Sequence, residues 1–185
     1  MDLGTVPAGR MKNLVTLESP RLRMRPFVPA DADAVFRYRS HAEVMRYIPS
    51  GADETIEDTQ KVLDGYREHQ EKYGFSKWAV VLQETGELIG DSGLLLLEDG
   101  PDFELGYRLA REYWGKGLAT ECGGAWLEAA FSSFGLERVV AFAHPDNAAP
   151  IRVMTKLGMR FERHARFYGM DSVLCSLDAA DRDVS

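Results

Sequence analysis

The stretch Leu105–Glu121 reads Leu-Gly-Tyr-Arg-Leu-Ala-Arg-Glu-Tyr-Trp-Gly-Lys-Gly-Leu-Ala-Thr-Glu and decides the fold. It begins as an apolar strand, passes through a glycine pair and opens an amphipathic helix. Gly115 and Gly117 allow the backbone to turn tightly and to approach a ligand closely. The helix that opens at Leu118 presents unpaired N–H groups and a positive dipole end, which favour an anion. By spacing alone, a phosphate site and a plain strand–helix turn fit equally well.

Two common phosphate motifs do not fit this glycine pair. A Walker A loop requires a serine or threonine after its Gly-Lys dipeptide, but Gly117 follows Lys116. The dinucleotide fingerprint requires a third glycine at the position that Thr120 occupies. Neither kind of nucleotide site is therefore predicted.

Composition limits the class of protein. The chain has 185 residues and a formal net charge of −7, which predicts one domain with a single core. The acidic balance disfavours a nucleic-acid or membrane surface and suits a cationic substrate such as an amine. Cys122 and Cys175 lack zinc-type spacing, so we expect reduced thiols and no metal site. No signal peptide or membrane span is apparent, and the expected location is the cytoplasm.

Periodicity and turn residues predict a mixed α/β order. Predicted strands span 21–27, 75–83, 88–98, 102–109, 137–143 and two segments within 160–177 that hinge near Gly169. Predicted helices span 30–40, 55–73, 118–134 and 147–157; residues 41–53 are predicted to be a loop. Strand 102–109, helix 118–134 and strand 137–143 must form a right-handed crossover between parallel strands, with ligands at their carboxyl ends. The glycine pair falls at that edge.

Four segments, in this order, resemble the GNAT superfamily of acetyl-CoA-dependent N-acetyltransferases. They are Ser19-Pro-Arg-Leu-Arg-Met-Arg25, Glu104-Leu-Gly-Tyr-Arg-Leu109, Tyr113-Trp-Gly-Lys-Gly-Leu-Ala-Thr-Glu121 and Asn147-Ala-Ala-Pro-Ile-Arg-Val-Met-Thr-Lys-Leu-Gly158. The first and third most resemble the Rim-type branch, which contains the ribosomal-protein serine and alanine N-terminal acetyltransferases.

The resemblance implies a single mixed α/β domain over residues 14–177. Its central twisted sheet would be mostly antiparallel, with six to seven strands, a parallel splayed pair and about four flanking helices. Residues 1–13 and 178–185 are expected to be flexible termini.

The resemblance also implies where acetyl-CoA binds. Backbone N–H groups of the glycine loop would hold the pyrophosphate, and the chain at Leu109 would run beside the pantetheine arm. Asn147 would bind that arm or, alternatively, cap its own helix. Glu112 departs from the family pattern and is expected to face solvent, with Arg111 and Lys116 supplying positive charge. The full set predicted to contact the cofactor is Leu109, Ala110, Trp114, Gly115, Lys116, Gly117, Leu118, Ala119, Thr120, Asn147 and Arg152.

The predicted catalytic residues are Glu104 and Tyr168. Similar proteins carry a carboxylate at the position of Glu104 that deprotonates the amine; the alternative is a structural ion pair with an arginine of the first strand. The tyrosine and serine that relatives use as general acid are replaced by Met154 and Pro150. Tyr168, Tyr113 or water would then protonate the sulfur.

Two further features concern the groups around the thioester. A backbone N–H near Leu109 or Ala110 is expected to polarise its carbonyl. His144 is either an incidental loop residue or a substrate group.

The sequence therefore predicts direct acetyl transfer to a primary amine in a ternary complex. Neither cysteine occupies a motif position, so no acetyl-enzyme is expected. The acceptor, a protein N-terminus or a small amine, is expected between residues 38–57 and the terminal hairpin. The partners would be acetyl-CoA and that amine, with a homodimer possible. The alternative is a GNAT-like domain that binds acyl-CoA as a sensor or partner-binding module without turnover.

Overall fold

The computed structural model describes residues 16–97 and 100–184. The predicted leader, residues 1–13, and the end of the predicted strand at 98 lie outside the described residues. The strands are β1 Leu17–Glu18, β2 Leu22–Arg25, β3 Lys77–Leu82, β4 Leu88–Leu96, β5 Phe103–Leu109, β6 Arg138–Ala143, β7 Arg160–Phe167 and β8 Met170–Asp178. The α-helices are α1 Ala32–Arg39, α2 Ala42–Met45, α3 Ile56–Tyr73, α4 Leu118–Ser132 and α5 Ala148–Lys156. Short 3-10 helices span Pro29–Asp31, Arg111–Tyr113 and Ala179–Val184.

The described strands form one sheet in the order β1-β2-β3-β4-β5-β6-β8-β7. Its neighbours pair antiparallel, except that β5 and β6 are parallel. The predicted mixed α/β fold with one parallel pair is therefore confirmed. The sheet has 8 strands rather than six or seven because β1 also pairs with β2. Helix α2 occupies part of the predicted loop at 41–53. Strand β1 and helix α2 were not predicted because both are too short to produce a clear periodic signal.

Local sequence explains how the long helices begin and end. Thr55 and Asp58 form a capping box at the start of α3, and Gly74 ends that helix in the left-handed region with φ 78°. Helix α4 has no such polar cap, because Gly117 occupies its N-cap position with φ 77°. The α4 N-terminus is therefore open to an external acceptor, which matters for the site.

The two faces of the sheet carry different helices. Alternate residues of β3 point to opposite faces, so Trp78 joins the α4 core while Ala79 joins the cluster formed with α1 and α3. Trp78 and Trp126 are fully buried and pack edge to face, with ring centroids 4.9 Å apart. This packing fixes α4, and with it the glycine loop, against β4 and β5.

Candidate active site

A gap opens between the parallel strands β5 and β6. The two strands pair only at Phe103 with Val139 and at Glu104 with Val140, although β5 continues to Leu109. The register between β4 and β5 stays continuous up to Leu109, so β5 keeps its partner on one side and loses it on the other. The predicted splayed pair is confirmed.

Backbone groups of β5 face into this gap. Ala110 donates its N–H to Ile89 O at 2.8 Å, so alternate residues of the strand direct their backbone groups toward β4. Tyr107 and Leu109 direct theirs to the other side, into the gap. The Leu109 carbonyl accepts a hydrogen bond from Trp114 Nε1 at 2.8 Å. Of the two N–H groups predicted to polarise a thioester, Ala110 is therefore engaged by β4 and Leu109 faces the gap.

The glycine loop lies at the end of the gap. Gly115 and Gly117 have φ values of 73° and 77°, in the left-handed region that glycine adopts without strain. The first α4 hydrogen bond runs from Glu121 N–H to Gly117 O at 3.1 Å. Helix geometry therefore leaves the N–H groups of residues 118–120 for another acceptor. These donors and the helix dipole suit a pyrophosphate.

Arg21, directly before strand β2, holds this loop in place. Its Nη1 donates to Lys116 O at 3.0 Å, and its Nε donates to Glu121 Oε2 at 2.7 Å. Ser19 and the Arg21 backbone N–H also donate to Glu121, each at 2.7 Å. Partial burial would raise the pKa of the Glu121 carboxyl, but these hydrogen bonds outweigh it and lower the pKa. Sequence reasoning noted the Ser19–Arg25 motif but missed this role.

The charges around the loop differ from the expected arrangement in one respect. Glu112 is exposed, as predicted. The Arg111 guanidinium, however, pairs with Glu43 of α2. The Lys116 ammonium lies over the Tyr113 ring, 5.0 Å from its centroid. Lys116 is therefore the loop cation that is not already paired with a carboxylate among the described residues.

A cavity of about 780 Å³ joins the gap to the loop. That volume is typical of a small-molecule site. Its walls include both predicted catalytic residues and most of the predicted cofactor residues. These are Glu104, Tyr168, Leu109, Trp114, Gly115, Gly117, Leu118, Ala119, Thr120, Asn147 and Arg152. Ala110 and Lys116 are absent from the described lining; Ala110 packs against the α1–α3 cluster instead.

Asn147 lies at the start of α5 but does not cap it. Its side chain makes no cap hydrogen bond within the described part of the chain, while its backbone N–H donates to His144 O at 2.9 Å. The helix-cap alternative is therefore not realised. Asn147 also lines the described cavity.

Glu104 projects from β5 into this cavity. Burial raises the pKa of its carboxyl, and the positive charges of Lys77 and then Arg108 partly offset that rise. The alternative, a structural ion pair with an arginine of the first predicted strand, is not present among the described residues. Those three arginines pair elsewhere: Arg21 with Glu121, Arg23 with Glu18 and Arg25 with Asp31.

A buried polar cluster beneath the cavity was not predicted. Asp91 is fully buried and accepts a hydrogen bond from Tyr38 at 2.9 Å. Arg108 lies 3.5 Å from the same carboxylate; burial lowers its pKa, but the charge of Asp91 together with Tyr66 and Tyr38 outweighs that effect and raises it. The period of two on β5 placed Arg108 on the face of Glu104, but only strand register shows that Asp91 lies opposite it.

The candidate acids differ in their surroundings. Met154 is buried in the core and donates no proton. Tyr113 donates to Glu87 Oε2 at 2.6 Å, and this bond, with partial burial, raises the pKa of Tyr113 to about 12. Tyr168 lines the cavity at the β7–β8 turn, with φ 50° and 48% of its surface exposed. Both tyrosines line the described cavity.

The far end of the cavity is lined by residues 43–50 and by the β7–β8 hairpin. His144 stacks on Tyr47 there, with ring centroids 5.2 Å apart, and accepts a hydrogen bond from Asp146 N–H through Nδ1. This is where the sequence placed the acceptor. Neither cysteine lines the described cavity, and burial raises the pKa of the Cys122 thiol to about 12.

Comparison with known proteins identifies this arrangement. The model of the acetyltransferase (GNAT) domain matches residues 21–160. The chain belongs to the GNAT acetyltransferase family. The Bacillus subtilis protein called uncharacterized N-acetyltransferase YoaA is 34% identical over 154 residues, covering 82% of this chain and 86% of YoaA.

Solved structures agree on the GNAT fold. A GNAT-family acetyltransferase from Bacillus anthracis superposes with a TM-score of 0.79 at 27% identity, covering 89% of this chain and 99% of that one. Mycobacterium smegmatis RimJ in complex with CoA-disulfide has a TM-score of 0.77 at 22% identity, covering 92% and 88%. At that identity RimJ supports the fold alone. The GNAT family and its named relatives establish acetyltransferase activity for the chain.

No helix in the described part of the chain combines the length and apolarity needed to cross a membrane. No group of three or more His, Cys, Asp or Glu side chains in the same residues is arranged around a possible metal ion.

Proposed function

We propose that this chain transfers the acetyl group of acetyl-CoA directly to a primary amine bound in the same cavity. The observation that carries the proposal is the meeting of three features in one cavity. These are the open α4 N-terminus, the gap beside β5 and the half-buried carboxylate of Glu104. The helix N-terminus would suit the pyrophosphate of the cofactor, the gap its amide-containing arm, and the carboxylate the amine.

The described residues fit coenzyme A. The N–H groups of residues 118–120 would receive the pyrophosphate, and a Cβ added at Gly115 would meet no atom within 4 Å, so that side of the loop is open. The backbone groups of Tyr107 and the Leu109 carbonyl, which can accept a second hydrogen bond, would pair with the amide-containing arm as a strand would. The Asn147 amide and Trp114 would contact it from the other side.

Acetyl-CoA supplies a thioester whose carbonyl carbon is attacked by the amine. Glu104 would take the proton from the amine, directly or through water, and its raised pKa brings the carboxylate closer to the range that suits a base near neutral pH. The Leu109 N–H would stabilise negative charge on the carbonyl oxygen. Tyr168 would donate a proton to the departing sulfur. Free thiols have a pKa near ~8.5, so this last step requires little assistance.

A screen for released thiol tests the proposal. Acetyl-CoA is offered with polyamines, aminoglycosides, small amines and peptides that begin with alanine or serine, and the acetylated product is confirmed by mass spectrometry. We expect at least one amine to release thiol in proportion to product. Saturable acetyl-CoA binding without turnover on any amine would instead favour a sensor.

A pair of variants tests the proposed base. Glu104→Gln is expected to lower kcat/KM by about 100-fold or more, as removal of a general base does. Glu112→Gln, which alters an exposed carboxylate close to the loop, is the control and is expected to stay within about twofold of the wild type, as a surface change should. Equal rates for the two variants would exclude Glu104 as the base.

A further inference from the structure

Lys77 enters the cavity from β3 and is the most buried lysine of the described chain. Only 9% of its surface is exposed, and its side chain contributes to the cavity wall beside Glu104. A lysine is rarely buried without a partner that compensates its charge. Its position in the middle of the sheet therefore calls for an explanation.

Two glycines on neighbouring strands leave room for the Lys77 side chain to extend across the sheet. Lys77 pairs in register with Gly93 of β4, and Gly93 pairs with Gly106 of β5. A Cβ at Gly93 would lie 2.0 Å from Ser76 O, so the bare glycine lets β3 and β4 approach closely. A Cβ at Gly106 would lie 2.3 Å from Lys77 Nζ and 2.7 Å from its Cε. The lysine side chain thus occupies the space that a side chain at Gly106 would fill.

The ammonium ends beside the proposed base. The same hypothetical Cβ at Gly106 would lie 3.4 Å from Glu104 Oε1, so the ammonium and the carboxylate both lie next to that position, although no direct ion pair joins them among the described residues. The geometry points to Lys77 as a positioning residue that holds Glu104 as an oriented carboxylate in a buried site. This inference rests on the proposed function, in which Glu104 is the base.

The other charged side chains near Glu104 do not take the place of the Lys77 ammonium. Arg108 also acts on the carboxylate, but less strongly than Lys77, and Asp91 already balances its charge. The residues in register with Glu104 on β4 and β6 are uncharged, Leu95 and Val140. The remaining titratable side chains that reach the cavity are His144, Tyr168, Tyr107, Tyr113, Tyr66, Tyr47, Glu43, Arg39, Arg46, Arg152 and Lys156.

The first experiment does not depend on turnover. The side-chain carboxyl carbons of glutamate are labelled with ¹³C, and the Glu104 signal is assigned by its loss in Glu104→Gln. Its titration is followed by NMR in the wild type, Lys77→Met and Lys77→Arg. We expect the Glu104 pKa to rise by about one unit or more in Lys77→Met, the effect of removing a close opposite charge, and to stay near the wild-type value in Lys77→Arg.

Gly106→Ala displaces the ammonium while leaving the lysine in the chain. The added Cβ overlaps the flexible end of the lysine, so the variant is expected to fold and to shift the Glu104 titration in the same direction as Lys77→Met. This variant decides the matter even if Lys77→Met does not fold. An unchanged Glu104 titration in the variants that fold would overturn the inference.

The rate profile then connects the titration to catalysis. With an accepted amine, Lys77→Met should move the acidic limb of the kcat/KM profile to higher pH. At pH values below that limb, kcat/KM should fall about tenfold for each unit by which the Glu104 pKa rises, whereas Lys77→Arg should keep the wild-type profile. A lysine with a purely structural role would lower stability without moving the limb. If Glu104→Gln keeps full activity, the base assignment fails; if it loses activity and Lys77→Met leaves the limb in place, only the lysine inference fails.

Discussion

Valine at Gly117 tests whether the glycine loop is the pyrophosphate site. Gly117 has φ 77°, and a Cβ added there would meet only Arg21 Nη2, at 3.7 Å, so backbone strain rather than a clash opposes a side chain. Left-handed backbone costs a non-glycine residue about 1–2 kcal/mol, and a β-branched residue belongs at the upper end. A loss of about 2 kcal/mol corresponds to a fall in Tm of roughly 4–8 °C for a chain of this length.

Gly86 supplies a matched control in the turn between β3 and β4. Its φ is 73°, and a Cβ there would meet no atom within 4 Å. Gly86→Val should therefore cost about the same stability as Gly117→Val, because the same strain of about 2 kcal/mol applies. Gly86 is not part of the described cavity wall, so this variant should bind coenzyme A normally.

Calorimetric titration with coenzyme A separates the two variants. Relief of the strain at Gly117→Val would tilt the N–H groups of residues 118 and 119 away from their common target. Loss of even one charge-assisted hydrogen bond, worth about 1.5–3 kcal/mol, weakens binding roughly 10-fold or more. If Gly117→Val matched Gly86→Val in both Tm and affinity, the pyrophosphate would have to bind elsewhere.

Three further predictions concern residues around the cavity. Arg21→Ala is expected to cost less than about 1 kcal/mol of stability, because the pair is half exposed, yet to raise the KM for acetyl-CoA several-fold. Because the pKa of Glu121 is lowered, the stability difference seen in urea melts should be present at neutral pH and disappear as the pH falls below the usual range of glutamate. Tyr168→Phe should lower kcat by about tenfold or more if the tyrosine is the acid, whereas Tyr113→Phe should stay within about twofold; equal values would remove Tyr168 from that role. Asp91→Ala should cost about 3–5 kcal/mol in urea unfolding, since a buried guanidinium loses its partner, and a cost below 1 kcal/mol would show that the charge is compensated elsewhere.

The element order was largely predictable because its signals are short in range. The helix at 55–73 carries its own cap and its own terminating glycine, and the structure places α3 at Ile56–Tyr73. The segments that became β1 and α2 contain 2 and 4 residues, less than one period of a reliable pattern. Extra strands and helices of this size become stable only when a neighbour pairs with them.

The position of the glycine loop could also be predicted from the sequence, but the ion-pair partners of individual charged residues could not. The glycine spacing and the helix pattern of 118–134 lie within one continuous segment, so the loop could be located without tertiary contacts. The ion pair considered as an alternative for Glu104 did not form, because nothing local indicates which cation lies near its carboxylate. Arg111 was expected to serve the loop, yet it pairs with Glu43, which lies 68 residues earlier in the chain.

The sequence by itself determined the fold class, the crossover and the glycine loop of this acetyltransferase, because glycine conformation and hydrophobic period act over a few residues. Only the tertiary structure decided how Arg21 secures that loop and how Lys77 reaches Glu104 across two glycines. Strand register sets which residues face one another across the sheet, and it arises from packing of the whole sheet against its helices. The acid–base surroundings of the site are therefore a property of the assembled sheet, whereas the loop at residues 115–119 is a property of its own sequence.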